Sequence, residues 1–200
     1  MTNSNNSNSD LEKFTRTQVL VLMGVTALIL MIIAKVWNYL GKVQILTITF
    51  NTNSILLGVG LAIIISILSN LIYRFWEDYR ISADYYLELI VQPLIWADLL
   101  WLGLLPGLSE ELLFRGVMLS ALGENLLALI VSSIIFGILH YSGTGKVAYV
   151  VWATLVGFIL GFSALYTGNL LIPIVAHIIT NWVSSISWKL KHPEVTVSSD

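Results

Sequence analysis

The chain has 200 residues, of which 56% are hydrophobic and only 11% charged, with a formal net charge of −2 and a mean hydropathy of +0.83. Soluble chains carry about 25% charged residues, so a water-soluble domain is excluded; a bilayer can hold this many apolar side chains. The slight negative charge offers no basic surface to nucleic acid. The absence of cysteine excludes disulfides, thiolate metal sites and cysteine nucleophiles.

Residues 1–10 are almost all Asn, Ser and Thr, and with the charged positions up to Arg16 they read as a disordered polar tail, 1–16. No apolar core with a small-residue cleavage site follows the start, so the tail is not read as a signal peptide. Residues 17–34 are uncharged and long enough to span the roughly 30 Å hydrocarbon layer, with Lys35 and Lys42 closing the span. The Thr- and Ile-rich stretch 44–53 reads as a loop or strand-like connector. A second span follows at about 54–73 and ends in Arg74, Glu77, Asp78 and Arg80.

Between 82 and 105, Asp84, Glu88, Gln92 and Asp98 alternate with apolar residues. This predicts an interfacial amphipathic start, then a short hydrophobic helix ending near Pro106 and Gly107. A new helix is expected from Ser109 to about Leu122, with Ser109 as its N-cap. From 125 to 188 the chain holds no acid, and its only basic residues are Lys146, His140 and His177. Helices are expected at 125–140, 147–166 and 170–188, broken by Gly143 and Gly145 and then by Thr167, Gly168 and Asn169. No internal repeat is visible. The fold class is therefore all-α: a polytopic transmembrane helical bundle with about six membrane-spanning segments. Its parts are two N-terminal transmembrane helices with their connector (17–80), a membrane domain (81–190) and a polar C-terminal tail (191–200). With six spans and the N-terminus inside, Lys13, Arg16, Arg74, Arg80, Lys146, Lys189 and Lys191 fall on the cytoplasmic side against Lys35 and Lys42 outside.

Ionisable residues inside apolar helices are costly and are functional candidates by default. Glu110, Glu111 and Arg115 form a Glu-Glu-x-x-x-Arg pattern. Acids in a first helical turn and an i,i+4 ion pair explain it as helix stabilisation. Successive helical residues point about 100° apart, however, so only one acid can face Arg115 squarely, which leaves Glu110 for other work such as general-base catalysis. His140 ends an apolar run and fits a headgroup-level ring. His177 and Asn181 lie four apart on one helical face, where interhelical hydrogen bonding would explain them; Pro173 before them is expected to kink or open the helix. Gly103-x-x-x-Gly107 and Gly157-x-x-x-Gly161 are read as helix-packing seams. One shared buried site accounts for the three polar groups together: Glu and His can polarise a water, and His and Asn can bond a developing oxyanion.

Glu110-Glu111-x-x-x-Arg115, Phe136-x-x-x-His140 and His177-x-x-x-Asn181, in this order on consecutive apolar helices, resemble the CPBP family, the CAAX prenyl endopeptidases and the bacteriocin-processing and immunity (Abi) proteins. Phe114-Arg115-Gly116, Asn169-Leu170 and Pro173-Ile174 match its flanks, and the resemblance covers about 94–188. It implies an intramembrane endopeptidase with a four-helix catalytic core. Glu110 and His140 would activate the attacking water, His177 and Asn181 would stabilise the oxyanion, and Glu111 and Arg115 would support them. Family members carry a metalloprotease label; Glu110, His140 and His177 could supply a three-ligand zinc site, although no His-Glu-x-x-His arrangement is present. The expectation is a water activated without a required cofactor, zinc being the alternative. The expected partners are a membrane protein or peptide substrate and the lipid bilayer, and the expected place is the cytoplasmic membrane of a bacterium. A non-catalytic immunity or scaffold protein of the same fold and a proton-coupled transporter are the competing readings.

Overall fold

Backbone polar groups cannot be left bare in hydrocarbon, so an apolar chain satisfies them within helices. The computed structural model describes residues 14–141 and 147–192, and the expectations for the terminal tails, Lys146 and the Gly143/Gly145 break lie largely or wholly outside them. Helix α1 (Arg16–Gly41) starts at Thr15, whose side chain accepts from the Gln18 backbone while Gln18 reaches back to the Thr15 backbone. Helix α2 (Thr52–Phe75) starts where the Asn51 side chain accepts from the Ser54 N–H at 2.8 Å. The amphipathic α3 (Glu77–Val91) precedes a 3-10 turn, Trp96–Asp98, and α4 (Leu99–Glu111). Helix α4 runs on through a π-helical segment, Leu112–Met118, into the single turn α5 (Leu119–Ala121). Then follow α6 (Leu126–Leu139), capped by Asn125, α7 (Ala148–Thr167), ended by Gly168 at φ 63°, and α8 (Leu171–Lys191).

Among the described residues four helices, α1, α2, α7 and α8, are long and apolar enough to cross a membrane. A fifth crossing arises if α3 and the rod Trp96–Ala121, bent by 108° against each other, count as one. The sixth apolar element, α6, has 14 residues and so rises about 21 Å, short of the hydrocarbon thickness. Outward-facing Leu28, Ile32, Ile63 and Ile67 are each about half exposed, the reverse of a soluble surface and the pattern of a helix presented to lipid.

Two expectations change. The chain does not break at Pro106, which lies inside α4. Ser109 is accordingly no N-cap: its hydroxyl donates to the Leu105 carbonyl one turn back, at 2.7 Å. Pro173 does not kink α8, because it falls in the first turn, where the missing N–H has no helical partner to lose.

Helix α8 is central, packing on α2 and α4, while α6 packs on α7. Both glycine pairs lie at close approaches. A Cβ on Gly103 would strike the Trp182 indole, one on Gly107 would sit 2.5 Å from Ile178 Cγ1, and one on Gly161 would sit 2.5 Å from Leu129 Cδ1. The connector between α1 and α2 is strand-like at one point, where Thr47 bridges to Asn169. There the Asn169 side chain accepts from the Thr49 N–H (3.0 Å) and donates to the Thr49 carbonyl and the Ser54 hydroxyl. At the start of α1, Arg16 grips Asp98 with two hydrogen bonds of 2.7 and 2.9 Å.

The seam predicts a contrast between glycines. Gly107→Ala is expected to destabilise the detergent-solubilised protein by about 1–3 kcal/mol through overpacking. Gly60→Ala, where a Cβ meets nothing within 4 Å, is expected to stabilise it by about 0.5–1 kcal/mol. Thermal unfolding of both variants measures the difference, and equal melting temperatures would contradict the seam.

Candidate active site

Glu110 and Glu111 end α4 on different faces, as the helical twist requires. Glu111 is fully buried and turned towards Arg115, itself 1% exposed in the π-helical segment. Arg115 Nη1 donates to Glu111 Oε1 at 2.8 Å, and Nη2 donates to the Gly157 carbonyl of α7 at 2.9 Å. The guanidinium also lies over the Phe136 ring of α6, 4.2 Å from its centroid. Gly157 is required here: a Cβ would stand 3.2 Å from Arg115 Nη2 and 3.1 Å from the Phe136 ring. Glu111 Oε1 has a second donor, His177 Nδ1 of α8, at 2.7 Å. One carboxylate thus ties three elements together: its own helix, the π segment and α8.

Glu110 faces a cavity of about 130 Å³ lined also by His140, Phe136, His177, Thr180 and Asn181. His140 caps the end of α6, and its Nδ1 lies 2.8 Å from the Phe136 carbonyl. A carbonyl only accepts, so Nδ1 carries the hydrogen and Nε2 is left for the cavity. That Nε2 stands 3.7 Å from Glu110 Oε2. The gap is too long for a direct hydrogen bond and short enough for one water to bond both groups. Glu110 Oε2 is buried with no hydrogen-bond partner among the described residues. By the same donor logic, His177 commits Nδ1 to Glu111 and turns Nε2 to the cavity, with Asn181 one turn further on the same face.

The structure therefore brings Glu110, His140, His177 and Asn181 to one cavity and sets Glu111 and Arg115 behind it. Sequence reasoning did not find the Gly157 carbonyl as the Arg115 acceptor, nor Tyr86, Tyr149 and Thr180 as lining residues. The signal for Gly157 was present only as a small-residue pair, and that for Thr180 as a polar residue beside Asn181; the two tyrosines gave none.

The donors do not fit the three-ligand zinc set. Among the described residues no three His, Asp or Glu side chains gather closely enough to hold one ion. The Phe136 ring packs on both histidines, with centroids at 4.6 Å from His140 and 5.9 Å from His177.

A buried cation stripped of its anion, or the reverse, typically costs about 3–5 kcal/mol. Arg115→Met, which keeps the volume but removes the charge, is expected to lower stability by that order. Thermal unfolding in detergent tests it, and an unchanged melting temperature would show that the pair does not hold the bundle.

Residues 91–183 match the family described as type II CAAX prenyl endopeptidase Rce1-like. A protein of Bacillus subtilis (strain 168) named "Uncharacterized protein YpbD" is 27% identical over 135 residues, which cover 68% of this chain and 69% of the relative. No solved structure matches the chain. The matched stretch runs from the end of α3 through most of α8 and contains Glu110, Glu111, Arg115, His140, His177 and Asn181. Over this stretch, somewhat under half of its length, the chain, a helical integral membrane protein, is similar to the type II CAAX prenyl endopeptidase Rce1-like family.

Proposed function

We propose that this chain is an intramembrane endopeptidase of the bacterial cytoplasmic membrane, hydrolysing peptide bonds of membrane-associated proteins with a water activated by Glu110 and His140. The observation that carries the reading is the facing of Glu110 Oε2 and His140 Nε2 across 3.7 Å, the carboxylate oxygen buried without another partner among the described residues. A water between them has one acceptor for its proton and a second group to orient it. Its oxygen bonds to the scissile carbonyl carbon while the proton passes to the Glu110–His140 pair. The carbonyl oxygen takes the electron pair and is met by donors from His177 and Asn181. Collapse of this adduct breaks the C–N bond, and the proton held by the pair goes to the leaving amine.

Glu111 and Arg115 act as positioning residues. Glu111 fixes the His177 ring through Nδ1, so that Nε2 is aimed at the substrate oxygen. The family description points to CAAX-type prenylated C-termini as the substrate form; the site geometry itself calls only for a peptide bond brought into a membrane-embedded cavity. No step is assigned to a metal.

The test is substrate trapping in the native host, comparing new N-termini in membranes that carry wild type, Glu110→Gln or His140→Ala. Each variant is expected to insert and fold while losing cleavage by about 100-fold or more. Retained processing in Glu110→Gln would overturn the reading in favour of a non-catalytic role. Stringent chelation is expected to leave cleavage unchanged; loss restored by zinc alone would require a metal at this site.

A further inference from the structure

Helical hydroxyls in an apolar bundle usually bond the carbonyl one turn back, since no water is at hand. This protein follows the rule widely. Ser82 donates to the Asp78 carbonyl, Ser133 to Leu129, Thr154 to Val150, Thr167 to Ser163 and Ser185 to Asn181, at 2.6 to 2.9 Å. Thr180 breaks it. Its Oγ1 is buried and has no hydrogen-bond partner among the described residues, although a buried hydroxyl left unbonded is costly. Thr180 lines the same cavity as Glu110, His177 and Asn181. It stands three residues after His177, a spacing that makes the two neighbours on the surface of α8.

We propose that Thr180 is a catalytic residue of this site: its hydroxyl donates to the carbonyl oxygen of the bond being cut, as a third donor beside His177 and Asn181. The proposal rests on the proteolytic reading above and extends it. The water-activating pair sits on α4 and α6, whereas Thr180 belongs to α8, the helix that supplies both other donors. Its place is thus on the oxyanion side of the cavity. No bond is made or broken at Thr180; the hydroxyl keeps its proton and redirects a hydrogen bond to the substrate oxygen. A hydroxyl that no described residue engages, bonded to the substrate oxygen in the adduct, is the differential that raises rate rather than ground-state binding.

The proposal makes activity and stability move in opposite directions. Thr180→Val keeps the shape and removes the hydroxyl. The full-length variant in detergent is expected to melt at or above the wild-type temperature, because no hydrogen bond to a described residue is lost. In membranes of the native host, its rate of producing the wild-type set of new N-termini is expected to fall about 100-fold. Thr180→Ser, which restores a hydroxyl, is expected to regain most of that rate. A fall of several degrees in melting temperature would mark Thr180 as structural and overturn the proposal. Wild-type cleavage rates in Thr180→Val, with Glu110→Gln inactive, would overturn the role of Thr180 alone. No difference between wild type and Glu110→Gln would overturn both readings together.

Discussion

A guanidinium in an apolar helical bundle is stable only if every side of it is answered, because an uncompensated buried charge costs several kcal/mol. Arg115 is answered by the Glu111 carboxylate, the Gly157 carbonyl and the face of Phe136. These come from the end of α4, the middle of α7 and the end of α6. Through its second bond, to His177, the carboxylate reaches α8 as well. The helices that surround the cavity are therefore held by one electrostatic junction rather than by apolar contact alone. Between helices in lipid, where hydrophobic association loses its drive, such polar junctions and small-residue seams fix the geometry.

The same junction separates two adjacent acids by task. Glu111 is enclosed and spends one oxygen on two donors. Glu110, one residue earlier, turns about 100° away and faces the cavity and His140. The distance of 3.7 Å between Glu110 and His140 is set by backbone elements, the end of α4 and the end of α6, and by the bond that ties the His140 ring to its own helix. A pair held apart in this way cannot collapse into a direct ion pair that would consume both groups.

Much of this was legible in the sequence, for reasons that particular residues make plain. The apolar runs marked α1, α2, α7 and α8, and the Glu111–Arg115 spacing of four announced an ion pair on one helix. The 100° rule alone was enough to detach Glu110 from Arg115. What stayed hidden depends on contacts between distant parts of the chain. Glu111 and His177 are 66 positions apart, and no local pattern reports that they touch. Pro106 misled because a proline normally ends a helix; here the chain continues as α4 and relaxes into π geometry just beyond. Pro173 misled in the opposite direction, since its effect depends on whether the helix begins two residues or ten residues before it. The Asn169 clamp on the connector was likewise invisible, because loop-to-loop hydrogen bonding leaves no periodicity.

The π-helical segment Leu112–Met118 carries a consequence of its own. A π turn holds one residue more than an α turn would over the same rise, so the rod Trp96–Ala121 is under-wound at the point where Arg115 leaves it. Side-chain chemistry along this stretch is replaceable in kind, apolar for apolar, without altering direction. Chain length is not: removing a single residue would let the segment tighten to α geometry, leaving the helix on either side in register but turning the residues within it relative to one another. Arg115, in the middle of the wide turn, would then lose its line to Gly157 and Phe136. What this helix protects is its count of residues, and natural variants should differ there by substitution and not by insertion or deletion.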